Sequence, residues 1–197
     1  MFQKNPVLGK VKTRLAATVG EKEALDIYLQ LLQHTYKIIN ELTDVETFIY
    51  FSDTLETEMD QMFVEDIHLR LQEGIDLGSR MKNAFDEVLN EGFDKALIIG
   101  TDCPEISPKI INMAFEALET TDVVFGPALD GGYYLLGIKQ VISNLFENMA
   151  WSHHKVLSDS IKRLNLENQT FTLLEMLSDI DTEEDWKRFK NTISQTI

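Results

Sequence analysis

Three groups of residues in this chain of 197 have types and spacings suited to handling anions and metal ions. The first is the run Lys4-Asn5-Pro6-Val7-Leu8-Gly9-Lys10-Val11-Lys12-Thr13-Arg14, whose four cations all precede the first acidic residue, Glu21. Lys and Arg side chains with the backbone N–H groups of an irregular loop form a natural phosphate cradle where that loop opens a helix. The run is not a P-loop, because the Gly-x4-Gly-Lys-Ser/Thr spacing is absent. It is not a dinucleotide fingerprint either, because Gly9 stands alone. A solvated basic arm is the plainer reading. The second group is Asp102, one residue beyond Gly100-Thr101 at the end of the apolar run Ala96–Ile99. A carboxylate facing a cationic loop suits Mg²⁺, which is usually held by one or two carboxylates plus substrate phosphates; a turn-shaping Asp is the simpler alternative. The third is Asp130-Gly131-Gly132 between two apolar segments. It reads either as a hairpin turn or as backbone approaching a sugar or phosphate closely, with Asp130 facing the ligand.

Two further patterns carry less. Asp179-Ile180-Asp181-Thr182 imitates the Asp-x-Asp-x-Thr of phosphoaspartate hydrolases but stands near the C-terminal end. A helix cap or a second metal carboxylate suits it better. His153-His154 is tempting as a metal pair, but adjacent residues do not share a helix face.

The elements that must position these residues follow from periodicity. Ala24, Leu25, Tyr28, Leu31, Leu32, Tyr36 and Ile39 fall on one face of a helix over about 21–42. Val45–Ser52 and Ile67–Leu71 read as strands, Leu55–Phe63 as a short helix, and Gln72–Arg80 as a loop leading to a helix over Ser79–Leu89. Ala96–Ile99 reads as a central strand buried on both faces, with Asp102 at its carboxyl end, where open α/β sheets bind ligands. Ser107-Pro108 opens a helix. Strands are expected at 122–126, 133–138 and 169–174. A helix capped by Ser152 should run to Leu164, and a last helix should open with Thr182 and Asp185 as a capping box. Met1-Phe2 leaves only a stub of a first strand. The alternation predicts βαβ units, a mainly parallel sheet and a single domain over 1–197.

Composition narrows the partners. A net charge of −15 argues against nucleic acid and anionic membranes, and makes the basic N-terminal run stand out as a local anion site. No apolar run is long enough to span a bilayer, and no signal-peptide core is present. Cys103 is the one cysteine, so neither a disulfide framework nor a cysteine metal site is expected. A cytoplasmic location fits best.

Six motifs in order give the chain a family resemblance. They are Phe2-x-Lys4-x-Pro6-x-x-Gly9-x-Val11-Lys12-Thr13-Arg14-Leu15, Gln72-x-Gly74-x-x-Leu77-Gly78-x-Arg80, Gly100-Thr101-Asp102-Cys103-Pro104, Gly126 to Gly137, Trp151-Ser152, and Asp179-x-Asp181-Thr182-x-x-Asp185. With them the chain resembles the bacterial nucleotide-diphospho-sugar transferase superfamily, which has the GT-A fold. Within it the chain looks most like a group labelled glycosyltransferases of arsenosugar biosynthesis. The resemblance implies a three-layer α/β/α sandwich with a mixed, mostly parallel sheet. It implies a nucleotide bound by Lys4, Gly9, Lys12, Thr13 and Arg14, with Gly78 and Arg80 bordering its base or sugar. It implies a divalent ion, Mg²⁺ or Mn²⁺, on Asp102 and on Asp181 (less readily Asp179), and an acceptor side at Asp130, Gly131, Gly132 and Trp151. Three features depart from the family pattern: the shortened first strand, His153-His154 after Trp151-Ser152, and Glu183 after Asp181-Thr182.

The leading expectation is transfer of a sugar from a nucleotide-diphosphate sugar to a small acceptor, with Asp102 at the metal and Asp130 as base. The alternative is nucleotidyl transfer, in which a phosphorylated small molecule attacks the α-phosphate of a nucleoside triphosphate and releases pyrophosphate, as in guanylyltransferases of this fold. A homodimer is compatible with either.

Overall fold

The computed structural model describes residues 1–55, 67–151 and 153–196, the last six without their side chains. The chain forms two compact units, one of Met1–Leu71, Gly100–Pro108 and Ser178–Ile197, the other of Gln72–Ile99 and Lys109–Leu177.

In the first unit, β1 (Phe2–Gln3), β2 (Thr47–Phe51) and β3 (Ile67–Leu71) form a parallel sheet in that order, with Phe2 opposite Tyr50 and Thr47 opposite Ile67. The stub at the start of the chain is thus a strand of two residues. Two helices follow β1: α1 (Thr13–Val19) and α2 (Glu21–Asn40). The first was not expected, because Lys10–Arg14 is polar and offers no cap. It forms with Lys12 in the left-handed region at its start (φ 47°, ψ 43°), and Gly20 separates it from α2. Thr13 and Arg14 therefore lie on a helix, not in the loop. The expected stripe of α2 is buried except for half-buried Leu25. Leu15, Ala24, Ile27, Leu31 and Ile180 make one cluster, closed by Trp186 and Phe189 of α7 (Glu183–Thr196).

In the second unit, β4 (Ala96–Ile99), β6 (Tyr133–Ile138), β5 (Val123–Pro127) and β7 (Phe171–Leu173) lie in that spatial order. β6 is antiparallel to both β4 and β5, and β7 is parallel to β5. This corrects the expectation of a central strand in a parallel sheet at Ala96–Ile99. β4 stands at one end of its sheet's order, pairs antiparallel, and buries only Ile99 fully. The Asp130 segment does join a hairpin. A continuous apolar run reports burial but not the direction of its partner, so β4 looked like a strand of a parallel sheet.

α3 (Leu77–Asn90) begins earlier than expected and takes Gly78 and Arg80 out of the loop. Its cap is Asp76, whose carboxylate accepts from the Ser79 N–H at 2.7 Å while the Ser79 hydroxyl closes the box. α4 (Pro108–Thr120) opens where Ser107-Pro108 placed it. The short α5 (Ser143–Phe146) had no clear sequence signal, and α6 (Val156–Leu166) starts later than expected. The helix expected at 55–63 falls, beyond Leu55, outside the described residues, as does Ser152. Among the described residues no helix is long and apolar enough to cross a membrane.

Candidate functional site

The first unit brings Lys12, Arg14, Asp102 and Asp181 together from three separate stretches of chain. Lys12 Nζ donates to Asp102 Oδ1 at 2.8 Å and to the Ile180 carbonyl at 2.6 Å. Its side chain is only 4% exposed, whereas that of Asp102 is 48% exposed. The Ile180 N–H donates to the Asp102 carbonyl at 2.9 Å, so the main chain of the C-terminal stretch is laced to the Asp102 turn. One residue on, Asp181 meets Arg14 Nη2 at 3.0 Å. Ile180 is fully buried in the α1/α2/α7 cluster, and this apolar anchor sets Asp181 beside the cations.

The turn carrying Asp102 is held from several sides. Thr101 is buried, and the Tyr28 hydroxyl shares a hydrogen bond with it. The same hydroxyl accepts from the Lys4 N–H at 3.0 Å and donates to the Lys4 carbonyl at 2.9 Å. Burial, above all, pushes the Tyr28 phenol well above its ordinary range, so it remains a hydrogen-bonding alcohol. His34 Nε2 donates to the Pro104 carbonyl at 2.9 Å; burial lowers its basicity and favours the neutral ring. Glu105 accepts from the Ser178 N–H at 2.9 Å. Cys103 lies buried between these contacts, and burial, then the nearby Asp179 carboxylate, pushes its thiol up to about 12, which removes it as a nucleophile.

The basic loop is equally structured. Asn5 is buried and clamps the end of β2, donating to the Thr54 carbonyl at 2.8 Å and accepting from the Asp53 N–H at 3.0 Å. Gly9 has a positive φ of 74°, and a Cβ there would meet the Glu21 carboxylate at 3.2 Å. Lys4, Lys10, Thr13 and Arg14 are exposed. Sequence reasoning missed Tyr28, His34, Asn5 and Thr101. Tyr28 looked like an ordinary member of a helix face and His34 like a scattered histidine, and only tertiary structure gives their polar atoms partners.

The remaining predicted residues belong to the second unit. Asp130 accepts from the Gly132 N–H at 2.8 Å and shapes its own turn. Gly131 has φ 90°, and a Cβ there would lie 2.0 Å from the His154 carbonyl oxygen, so only glycine fits. Gly78 in α3 lies under the Trp151 indole, which a Cβ would meet at 2.4 Å. Arg80 Nε donates to the Gly74 carbonyl at 3.2 Å, tying α3 to the loop before it.

Among the described residues no group of three or more His, Cys, Asp or Glu could cage a metal. Asp102, half exposed, and Asp181, the residue after the Ile180 carbonyl that also holds Lys12, are the carboxylates here that could hold Mg²⁺ together with phosphate oxygens, without a protein-only cage.

A family model described as "Uncharacterized protein conserved in bacteria (DUF2064)" matches residues 35–153. A 2-phospho-L-lactate guanylyltransferase from Methanocaldococcus sp. (strain FS406-22) is 26% identical over 180 residues, covering 90% of this chain and 75% of that protein. A phosphoenolpyruvate guanylyltransferase from Sphaerobacter thermophilus is 28% identical over 120 residues, covering 61% of this chain and 58% of that one. A solved structure from Desulfovibrio desulfuricans G20, provisionally named a nucleotide-diphospho-sugar transferase, superposes with a TM-score of 0.84 at 24% identity, over 99% of this chain and 95% of that one. The chain therefore has the mixed α/β fold of the nucleotide-diphospho-sugar transferases.

Proposed function

We propose that this chain, which belongs to the bacterial family DUF2064, is a nucleotidyltransferase that joins a nucleoside triphosphate to a small phosphorylated acid and releases pyrophosphate. The enzyme is a transferase, and of the two transfers weighed from the sequence the nucleotidyl one is favoured by its relatives, which act on 2-phospho-L-lactate and phosphoenolpyruvate according to their names. The observation that carries the reading is the Lys12–Asp102–Ile180 knot with Arg14 and Asp181 beside it. It sets two cations and two carboxylates where a triphosphate and a divalent ion would be bound together.

Lys12 and Arg14 would bind the triphosphate, with Lys4, Gly9 and Thr13 contributing the rest of the loop. Asp102, and Asp181 with it, would hold Mg²⁺ or Mn²⁺. When bound, the ion supplies charge neutralisation on the phosphates. An oxygen of the acceptor's phosphate bonds to the α-phosphorus, the bond from that phosphorus to the bridging oxygen breaks, and pyrophosphate departs with the electron pair. Cations drawn to the departing phosphates would stabilise that charge as it develops. A phosphate monoester, with a second pKa of about 6, is already ionised at neutral pH and needs no general base. Asp130 is then a turn-former on the acceptor side together with Gly131, Gly132 and Trp151. The sugar-transfer reading, including the finer likeness to the arsenosugar group, is the outcome the following test separates.

The test is incubation with Mg²⁺, each of the four nucleoside triphosphates, and phosphoenolpyruvate or 2-phospholactate, following pyrophosphate. Release that requires both substrates is the expected result. No pyrophosphate, with a nucleoside diphosphate released instead from a nucleotide sugar, would overturn the reading.

A further inference from the structure

The ion pair at the centre of the site has a consequence for the order in which ligands bind. We propose that Lys12 is a gate on Asp102: in the absence of nucleotide its ammonium occupies the carboxylate that the divalent ion needs, and the nucleotide's phosphates draw it away. Metal then binds with or after nucleotide, and not before it. The inference rests on the placement of the ion at Asp102 in the proposed function.

Three features carry it. The Lys12 ammonium lies 2.8 Å from Asp102 Oδ1 and 2.6 Å from the Ile180 carbonyl, with the side chain almost wholly buried. A divalent cation on the same carboxylate, itself half exposed, would stand a few ångströms from the buried ammonium, and the two like charges repel. The main chain of Lys12 is fixed, because its carbonyl accepts from the Ala16 N–H at 2.8 Å as the first bond of α1. Only the side chain can move, and a flexible lysine with three rotatable donors can exchange a carboxylate for a phosphate oxygen. Asp181 differs. Its partner Arg14 is 76% exposed, against 27% for Asp181 itself, and a cation that open to solvent is held less firmly than the buried Lys12. The gate is therefore Lys12 and not Arg14.

The experiment titrates Mn²⁺ into the whole protein without nucleotide and follows the electron paramagnetic resonance of free Mn²⁺. Wild type should bind weakly, and Lys12→Met should bind at least about tenfold more tightly. Lys12→Gln, which can still donate to the Ile180 carbonyl, should shift the same way, and it serves if the methionine variant does not fold. Adding Asp102→Asn to either should abolish the gain. Binding no tighter than wild type in the Lys12 variants, or a gain that survives Asp102→Asn, would overturn the gate. Failure of pyrophosphate release with this titration as expected would remove the nucleotidyl reading and leave the gate; the converse would remove the gate alone.

Discussion

Lys12 occupies a left-handed backbone conformation that costs an L-residue about 1–2 kcal/mol. Its side chain is compensated by two short contacts to residues far away in sequence, Asp102 and Ile180. A lysine in a solvated arm would have neither feature, so the plainer reading of the basic run does not hold for Lys12. Asp102 is likewise more than a turn residue, because its carboxylate faces Lys12 instead of capping its own turn. In the proposed reaction, Asp102→Asn removes the anion but keeps the shape. We expect kcat/KM for pyrophosphate release to fall by about 10²–10³-fold, as when one preorganised electrostatic group is lost, with the circular dichroism of the protein preserved. An unchanged rate would take Asp102 out of the reaction. Gly78 gives a prediction of opposite sign to the general rule. Gly→Ala inside a helix normally stabilises by about 1 kcal/mol. Here the new Cβ would enter the Trp151 indole at 2.4 Å. Gly78→Ala should therefore destabilise by about 1–3 kcal/mol, the range for overpacking, and a melting curve that moves up or not at all would contradict the packing described.

At the scale of elements, α2 both fills the core and steadies the site. Its Tyr28 grips Lys4 in the basic loop, and its His34 grips Pro104, two residues after Asp102. Because burial lowers the His34 pKa below its ordinary 6.5, the unfolded chain takes up a proton there before the folded one does. Stability from His34 is thus complete above about pH 6.5 and is lost as pH falls through the folded value. Melting temperatures should drop between about pH 7.5 and about pH 5.5, and the drop should be shallower in His34→Gln; equal slopes would deny His34 this role. Much of this level was legible in the sequence. The stripe of α2, the strand at Ile67–Leu71, the Ser107-Pro108 helix start and the Thr182/Asp185 box all appear, the last with the Thr182 hydroxyl 2.7 Å from Asp185 Oδ2. What could not be read depends on partners distant along the chain. α1 has no side-chain cap and packs Leu15 into a cluster with Ile27, Leu31 and Ile180, none of which is a neighbour in sequence. The antiparallel pairing of β4 is decided by β6, some forty residues later.

For the whole molecule, a net charge of −15 makes an anionic substrate an awkward ligand unless cations are gathered locally. In the proposed function the basic run is that gathering, and the structure ties Lys12 and Arg14 to carboxylates at Asp102 and Asp181. The motif order along the sequence announced the fold, which the 0.84 TM-score to the Desulfovibrio protein supports over nearly the full chain. It did not separate sugar transfer from nucleotidyl transfer, because both reactions use a cationic loop and an acidic residue on a nucleotide's phosphates. Relatives named for guanylyl transfer move the balance to the second. The most direct measurement is the ³¹P nuclear magnetic resonance spectrum of the protein with Mg²⁺, a nucleoside triphosphate and a phosphorylated three-carbon acid. Pyrophosphate and a new pair of coupled diphosphate resonances should grow at equal rates. A spectrum in which triphosphate and acid persist unchanged, while a nucleotide sugar under the same conditions yields nucleoside diphosphate, would contradict it.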